Sequence, residues 1–292
     1  MFVRAGGPRD LDALLELAAL AGLGLTSLPV CRRRLSERLA LSEASFARQV
    51  APRDAWYILV LDRGDGAVVG ISGVRATVGQ TRPHSSFRVA GRTLTLAHEC
   101  DGWSEVGSLF LHPARRGGGA GTLLARARYM LIATAPELFA PTVMAELRGF
   151  FAPDGSSPFY EGIARTYYGR PFSDIAGNEA LLAEYAPRHP IDIDAAPASA
   201  KSAIGCVHVD GIGAQAMLKR EGFAWHGLID LWDGGPTMSC ARDAIATVRS
   251  ARRAPAGSIL PSGQLASIPD LSRFRVVRAS SDTPCDEALL LA

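Results

Sequence analysis

The densest run of chemistry-bearing residues is Arg115-Arg116-Gly117-Gly118-Gly119-Ala120-Gly121. It follows a stretch of strand formers, Glu105 to Leu111, closed by His112-Pro113. An apolar stripe at helical spacing comes after it: Leu123, Leu124, Ala127, Met130 and Leu131. A strand entering a helix through consecutive glycines presents several backbone N–H groups at the positive helix end, a geometry suited to phosphate or pyrophosphate. Glycine is required there because a side chain would block close approach, and Arg115 and Arg116 add charge. A nucleotide-phosphate loop would need Gly-Lys-Ser/Thr, whereas here Gly121 is followed by Thr122-Leu123. A dinucleotide loop would need a third glycine that is not in register.

The elements that must carry such a site alternate. Phe2 to Arg4 reads as a strand. A helix opens at Pro8 with Leu11, Leu14, Leu15 and Ala18 on one face, and Gly22 and Gly24 stop it. A second helix covers roughly Arg32 to Arg48, with the basic run Arg32-Arg33-Arg34 on its solvated side. Trp56 to Leu61 and Ala67 to Val78 form a hairpin around Arg63-Gly64-Asp65-Gly66. Gly79 to Gly102 resembles an insertion with a hairpin at Phe87 to Leu96. Thr142 to Leu147 is predicted as a strand, Pro158 to Arg165 and Asn178 to Tyr185 as short helices. Ile204 to Val209 reads as a strand, Gly213 to Glu221 as a helix and Phe223 to Trp232 as a strand. Interleaving of this kind predicts an α/β domain. From Pro236 onward the pattern weakens, and Phe274 to Val277 alone suggests a strand. The expected division is a catalytic domain over 1–236 and a C-terminal extension over 237–292.

Composition narrows the function class. The chain has 292 residues, 31 Lys plus Arg against 29 Asp plus Glu, and a net charge of +2. Near balance argues against a chain built to hold nucleic acid or an anionic membrane. The apolar run Leu14 to Leu25 is too short to span a bilayer, and the N-terminus lacks the pattern of a signal peptide. Cys31, Cys100, Cys206, Cys240 and Cys285 have no paired spacing. His84, His98, His112, His189 and His226 lack metal-ligand spacing, so no metal is expected. A reducing cytoplasm is the expected location.

The pattern Arg116-x-x-Gly119-x-Gly121 after a strand resembles the acyl-CoA loop of the GNAT superfamily of N-acyltransferases. Ala214 to Phe223 resembles that superfamily's late helix and strand, and Arg4 to Leu17 its opening unit. Leu218 stands where many members have a tyrosine proton donor. Longer blocks are similar to the arginine N-succinyltransferase family. They are Gly24 to Pro29, Ser104-Glu105 through Leu111, Ala145-Glu146-Leu147-Arg148-Gly149 and Ser157-Pro158-Phe159. They continue with His189-Pro190-Ile191, Ile204-Gly205-Cys206-Val207-His208 and Asp233-Gly234-Gly235-Pro236-Thr237. The family pattern usually has proline where Val209 stands, and it continues past Ala292 into a further β-rich piece. The resemblance implies a GNAT-like mixed central sheet flanked by helices. It implies succinyl transfer from succinyl-CoA, as co-substrate rather than resident cofactor, to the α-amino group of L-arginine in arginine catabolism. It also implies that His208 is the catalytic proton donor and that Leu109 lies on the succinyl-CoA-binding strand. Ornithine or another basic amine as acceptor, and a non-catalytic CoA-binding subunit, remain open, as does a homo- or hetero-oligomer.

For thioester aminolysis, histidine titrates in the useful range, and His208 is placed at a strand end before a loop. Cys206, two residues earlier on that strand, would share its face and make a Cys–His nucleophile conceivable. The CoA pyrophosphate is assigned to Arg116, Gly117, Gly119 and Gly121. A guanidinium acceptor calls for carboxylates, and Glu105, Glu146, Asp230 and Asp233 lie at strand ends or turns. Arg148 could hold the carboxylate of arginine or of the succinyl group, or pair with Glu146.

Overall fold

The computed structural model describes residues 1–21, 28–175, 178–279 and 285–292. Gly22, Gly24 and most of the block Gly24 to Pro29 lie outside them. In chain order the elements are β1 (Phe2–Ala5), α1 (Leu11–Ala21), α2 (Arg32–Phe46), β2 (Trp56–Asp62), β3 (Val68–Arg75), β4 (Ser86–Ala90), β5 (Thr93–Ala97), β6 (Ser104–Leu111), α3 (Ala120–Thr134) and β7 (Thr142–Glu146). They continue with α4 (Arg165–Tyr168), α5 (Phe172–Ile175), α6 (Glu179–Tyr185), β8 (Ile191–Asp192), α7 (Ala198–Ala203), α8 (Ile212–Arg220), β9 (Ala224–Ile229), β10 (Pro236–Ala241) and α9 (Ala246–Ser250). The last four are β11 (Arg252–Ala254), β12 (Leu265–Ser267), β13 (Arg275–Arg278) and β14 (Leu289–Leu291). The class is α/β, as expected. No helix among the described residues is long and apolar enough to cross a membrane.

The chain divides into two compact units. The first comprises Met1–Thr77, Trp103–Val143 and Ala241–Ala292, and the second Val78–Gly102 and Met144–Cys240. In the first unit the strands run β11-β14-β12-β13-β1-β2-β3-β6. Leu14, Leu17, Leu35 and Leu39 of α1 and α2 bury their stripes against Ile58, Val60 and Ile71. Arg4 fixes the start of the chain. Its guanidinium donates to Asp10 at 2.8 and 2.9 Å and to Asp62 at 3.0 Å. Glycine sets how closely α3 approaches the sheet, because a Cβ at Gly70 would stand 2.9 Å from the Leu124 side chain.

The second unit orders its strands β10-β9-β4-β5-β8, with the Met144–Glu146 part of β7 beside β10. Its core gathers Phe87, Leu94, Phe159, Tyr160, Ile163, Ile229 and Trp232. The segment read as an insertion is built into this core: its hairpin forms as predicted, and Phe87 and Arg88 pair with Ile229 and Leu228.

Three expectations are corrected. Ile204 to Val209 is not a strand. A single bridge joins Val207 to Gly149, and His208 caps a short 3-10 turn at Val209–Gly211. The β-branched pattern there is met by pairing at one point because Gly205 turns the chain at φ +70°. The division at 236/237 is also not where the chain separates, since β10 begins at Pro236 and residues from Ala241 onward pack in the same unit as the N-terminus. Finally, among the described residues four strands rather than one form beyond Ala251, and β13 pairs with β1 through Val276–Val3 and Arg275–Arg4. Strands of three or four residues carry too little alternation to read, and they are stabilised by partners distant in sequence.

The loop after β7 and the loop before β10 cross at contact distance. Leu147 N–H donates to the Pro236 carbonyl at 3.1 Å. A Cβ on Gly235 would lie 2.0 Å from the Leu147 carbonyl oxygen, and one on Gly149 would lie 2.1 Å from that of Asp233. Backbone atoms cannot yield as side chains do, so Gly235→Ala is expected to cost about 3 kcal/mol, the upper range for overpacking. Urea denaturation checks this; a loss below about 0.5 kcal/mol, the level of a neutral surface substitution, would show that the crossing is looser than described.

Candidate active site

The first unit carries the predicted anion loop. Pro113–Arg115 makes one 3-10 turn, and the chain then passes through Gly117, Gly118 and Gly119 at φ +103°, +58° and +79°. Three successive left-handed residues explain why this loop is built of glycine. Gly119 is the N-cap of α3 and Gly121 lies in its first turn, so Gly121 needs no unusual φ. First-turn N–H groups have no partner within their own helix. Arg115, Arg116, Gly117 and Gly118 are exposed. Sequence reading missed Arg278 of β13, whose guanidinium lies 3.1 to 3.4 Å from where a Gly119 Cβ would stand. Its position in the C-terminal strands gave no local signal.

On β6, Gly107 pairs with Gly73 and Phe110 with Ile71, so two residues, Ser108 and Leu109, oppose Ser72 alone. Ser108 adopts φ +53°, the mark of a β-bulge that takes a residue out of the ladder. Leu109 therefore sits in an irregular stretch whose backbone groups are not all committed to the neighbouring strand. Glu105 lies on the same strand opposite Arg75, in the first unit, whereas the other three candidate carboxylates belong to the second.

Those three meet in the second unit, around Asp233. Its carboxylate is 1% exposed. Oδ2 accepts from Gly149 N–H at 2.7 Å and Oδ1 from Gly235 N–H at 2.8 Å. Burial pushes its carboxyl up to about 6, against the pull of the two N–H donors, and Glu146 pushes the same way. Asp230 accepts from Trp232 N–H at 2.8 Å. Burial, followed by the charges of Asp233 and Glu146, raises it well above the usual carboxylate range, with the Trp232 N–H and His84 opposing. Glu146 Oε1 is 2.9 Å from His84 Nε2. His84 comes from the Val78–Gly102 segment and was not predicted as a site residue; nothing in its sequence neighbourhood reveals that the hairpin folds back to Glu146.

Arg148 and His208 stand on the same crossing. His208 N–H donates to the Arg148 carbonyl at 2.9 Å, and Gly205 N–H to the Gly234 carbonyl at 2.9 Å. Three of the family blocks thus converge through backbone bonds. The Arg148 guanidinium lies 4.4 Å over the Phe151 ring, and His208 meets that ring edge-on at 5.9 Å. Burial lowers the Arg148 pKa, with Asp233 and Asp210 opposing. Its Nε is buried and has no hydrogen-bond partner, and its predicted alternative partner Glu146 is engaged by His84.

The His208 ring accepts at Nδ1 from Asp210 N–H, 3.1 Å away, with Asp210 Oδ2 at 3.6 Å. That acceptor role leaves the proton of the neutral ring on Nε2. Burial, then Arg148, lowers its pKa, opposed by Asp210. The neutral ring is therefore favoured, and a proton placed on it is given up readily. Leu218, the replacement for the superfamily tyrosine, is buried on α8. Cys206 does not share a strand face with His208; its Sγ donates to the Ser202 carbonyl at 2.9 Å.

A family model described as arginine N-succinyltransferase beta subunit matches residues 1–247. The chain is 38% identical over 267 residues to arginine N-succinyltransferase subunit beta of Pseudomonas aeruginosa, covering 85% of this chain and 78% of that one. It is 32% identical over 318 residues to an arginine N-succinyltransferase of Enterobacter sp., covering 100% of this chain and 92% of that one. Among solved structures, the arginine/ornithine succinyltransferase subunit AI from Pseudomonas aeruginosa matches with a TM-score of 0.89 at 27% identity, covering 100% and 98% of the two chains. On this sequence and fold similarity, the chain belongs to the arginine N-succinyltransferase family.

Proposed function

We propose that this chain transfers the succinyl group of succinyl-CoA to the α-amino group of L-arginine, in arginine catabolism within the reducing cytoplasm. The observation that carries this reading is Arg148, a half-buried guanidinium with an unpartnered Nε beside His208 and the carboxylates. A buried donor without a partner costs about 1–3 kcal/mol, which a ligand carboxylate would recover. Both proposed substrates carry one.

In this reading the N–H groups of Gly117, Gly119 and Gly121, with Arg116 and Arg278, hold the CoA pyrophosphate, and the strand carrying Leu109 lies along the acyl arm. Glu146 and Asp230 face the cationic groups of arginine. Asp233 anchors the loops, because both its oxygens are taken by backbone N–H groups. The neutral α-amine attacks the thioester carbonyl, the C–N bond forms and the C–S bond breaks. His208, as a readily deprotonated imidazolium, gives its proton to the departing thiolate, and the proton that the attacking nitrogen loses as the amide forms replaces it. Ornithine is the second acceptor to consider, since the solved relative is an arginine/ornithine succinyltransferase subunit. Carboxylates pair with an ammonium as well as with a guanidinium.

Steady-state rates with succinyl-CoA and acetyl-CoA, each against arginine and ornithine, test the reading. Succinyl-CoA with arginine is expected to give the highest kcat/KM. No transfer by the purified chain would leave a CoA-binding subunit instead. Three variants follow from the geometry. Gly119→Asp, which adds bulk and negative charge beside the anion loop, should raise KM for succinyl-CoA steeply; an unchanged KM would contradict the loop assignment. His208→Ala should lower kcat by about 10²–10⁴-fold, the usual worth of general acid–base help, with succinyl-CoA affinity little changed. Near wild-type turnover would leave His208 structural. Arg148→Met should reduce the preference for succinyl-CoA over acetyl-CoA at least tenfold, roughly the 1.4 kcal/mol scale of one charged hydrogen bond; an unchanged preference would place the succinyl carboxylate elsewhere.

A further inference from the structure

Arginine at neutral pH presents an α-ammonium, and an ammonium has no electron pair with which to attack a thioester. His208 is assigned to the leaving thiolate, so a second group must take a proton from the nucleophile. We propose that the imidazole of His84, held by Glu146, is the general base that deprotonates the α-ammonium of the acceptor. This deepens the arginine succinylation reading and rests on it.

The placement of His84 is built rather than incidental. Its Nε2 lies 2.9 Å from Glu146 Oε1, and its backbone N–H donates to Asp101 Oδ1 at 2.6 Å. Asp101 is itself locked: its N–H donates to the His98 carbonyl at 3.1 Å, and its side chain fills the space a Cβ on Gly79 would occupy. Gly102 N–H then closes the segment on the Val78 carbonyl at 3.0 Å. A carboxylate that accepts from one imidazole nitrogen orients the ring and stabilises the imidazolium formed when the other nitrogen takes a proton. Water reaches both partners, with side-chain exposures of 19% for His84 and 28% for Glu146.

The surrounding charges suit a proton acceptor. Glu146 and Asp230 both act electrostatically with His84's end of the cluster, Asp233 lies behind them, and Arg148 is the opposing cation. From the segment's own side the charged neighbour of His84 is Asp101, while Arg88 and Glu99 of that segment pair with each other at Arg88 Nε–Glu99 Oε1, 2.8 Å. The buried Cys100 thiol, pushed up to about 12 chiefly by burial and then by Glu146, stays neutral and does not compete for the proton. Excess negative charge attracts the ammonium and stabilises the imidazolium that its deprotonation creates.

The proton balance closes. An ammonium N–H bond breaks, its proton passes to the His84 ring, and the electron pair remains on nitrogen for attack on the carbonyl carbon. The attached nitrogen gives up a second N–H proton as the tetrahedral intermediate expels thiolate, which takes the proton carried by His208. That second proton restores the His208 imidazolium, and the proton held by His84 leaves to water. One proton is released to water overall, as conversion of an ammonium and a thioester into an amide and a thiol requires.

The test is the pH profile of kcat/KM for arginine in wild type, His84→Gln and Glu146→Gln, with succinyl-CoA binding followed by calorimetry as a check on folding. His84→Gln should lose about 10²–10⁴-fold near pH 7 and bind succinyl-CoA normally. Its deficit should shrink above the ammonium's own pKa, where the amine arrives neutral and needs no base. Glu146→Gln should lose less and move the acidic limb to lower pH, because the imidazolium loses an anionic partner. A deficit in His84→Gln that is the same at every pH, or turnover near wild type, overturns the proposal while leaving the function standing. If the wild-type chain itself transfers no succinyl group to arginine, the function reading fails and the base assignment fails with it.

Discussion

One buried carboxylate organises the second unit. Asp233 accepts from Gly149 on one oxygen and from Gly235 on the other, tying the loop after β7 to the loop before β10. Charge-assisted hydrogen bonds to backbone N–H are among the stronger ones a protein makes, and this pair needs two glycines because no Cβ fits at the crossing. The loops so joined carry the side chains that matter. Arg148 precedes Gly149, its carbonyl receives His208 N–H, and Asp230 and Glu146 flank the same turns. His208 is thereby fixed by the backbone of its charged neighbour rather than by a regular strand.

The same crowding sets the electrostatics. Glu146, Asp230 and Asp233 cannot all be ionised cheaply where water is scarce, and burial with mutual repulsion raises both aspartates. Arg148 is half-buried with an unpartnered Nε and lies over the Phe151 ring, from which ring contacts continue through Phe172 to Trp232. A site that is acidic on one side and holds an underused guanidinium on the other is complementary to a substrate with both signs of charge. The apolar wall strengthens each of those interactions relative to bulk water.

Much of this was legible from residue order, and the failures have physical causes. The glycine loop before α3 could be read because positive φ at three successive positions demands glycine, which is visible in sequence. Long helices such as α2 and α3 were legible because their apolar period persists over several turns. Ile204 to Val209 was misread as a strand because β-branched composition does not report whether a ladder partner exists. Asp233 was taken for a ligand contact: a carboxylate before two glycines looks the same whether it meets a substrate or its own backbone. His84 and Arg278 went unnoticed since each reaches its neighbours through pairings over more than 60 residues of chain, Glu146 in one case and the Gly119 loop in the other. Family resemblance supplied His208, which composition alone could not single out.

The Asp233 carboxylate ties the loops that carry Arg148 and His208 into one body. Hydrogen exchange on Asp233→Asn, compared with wild type, tests it most directly. An amide side chain keeps the shape but offers only one oxygen to the two N–H groups. The Gly149, Gly235 and His208 amides are expected to be protected in wild type and to lose protection together in the variant. Faster exchange confined to Gly149 and Gly235, with the His208 amide as protected as before, would contradict it.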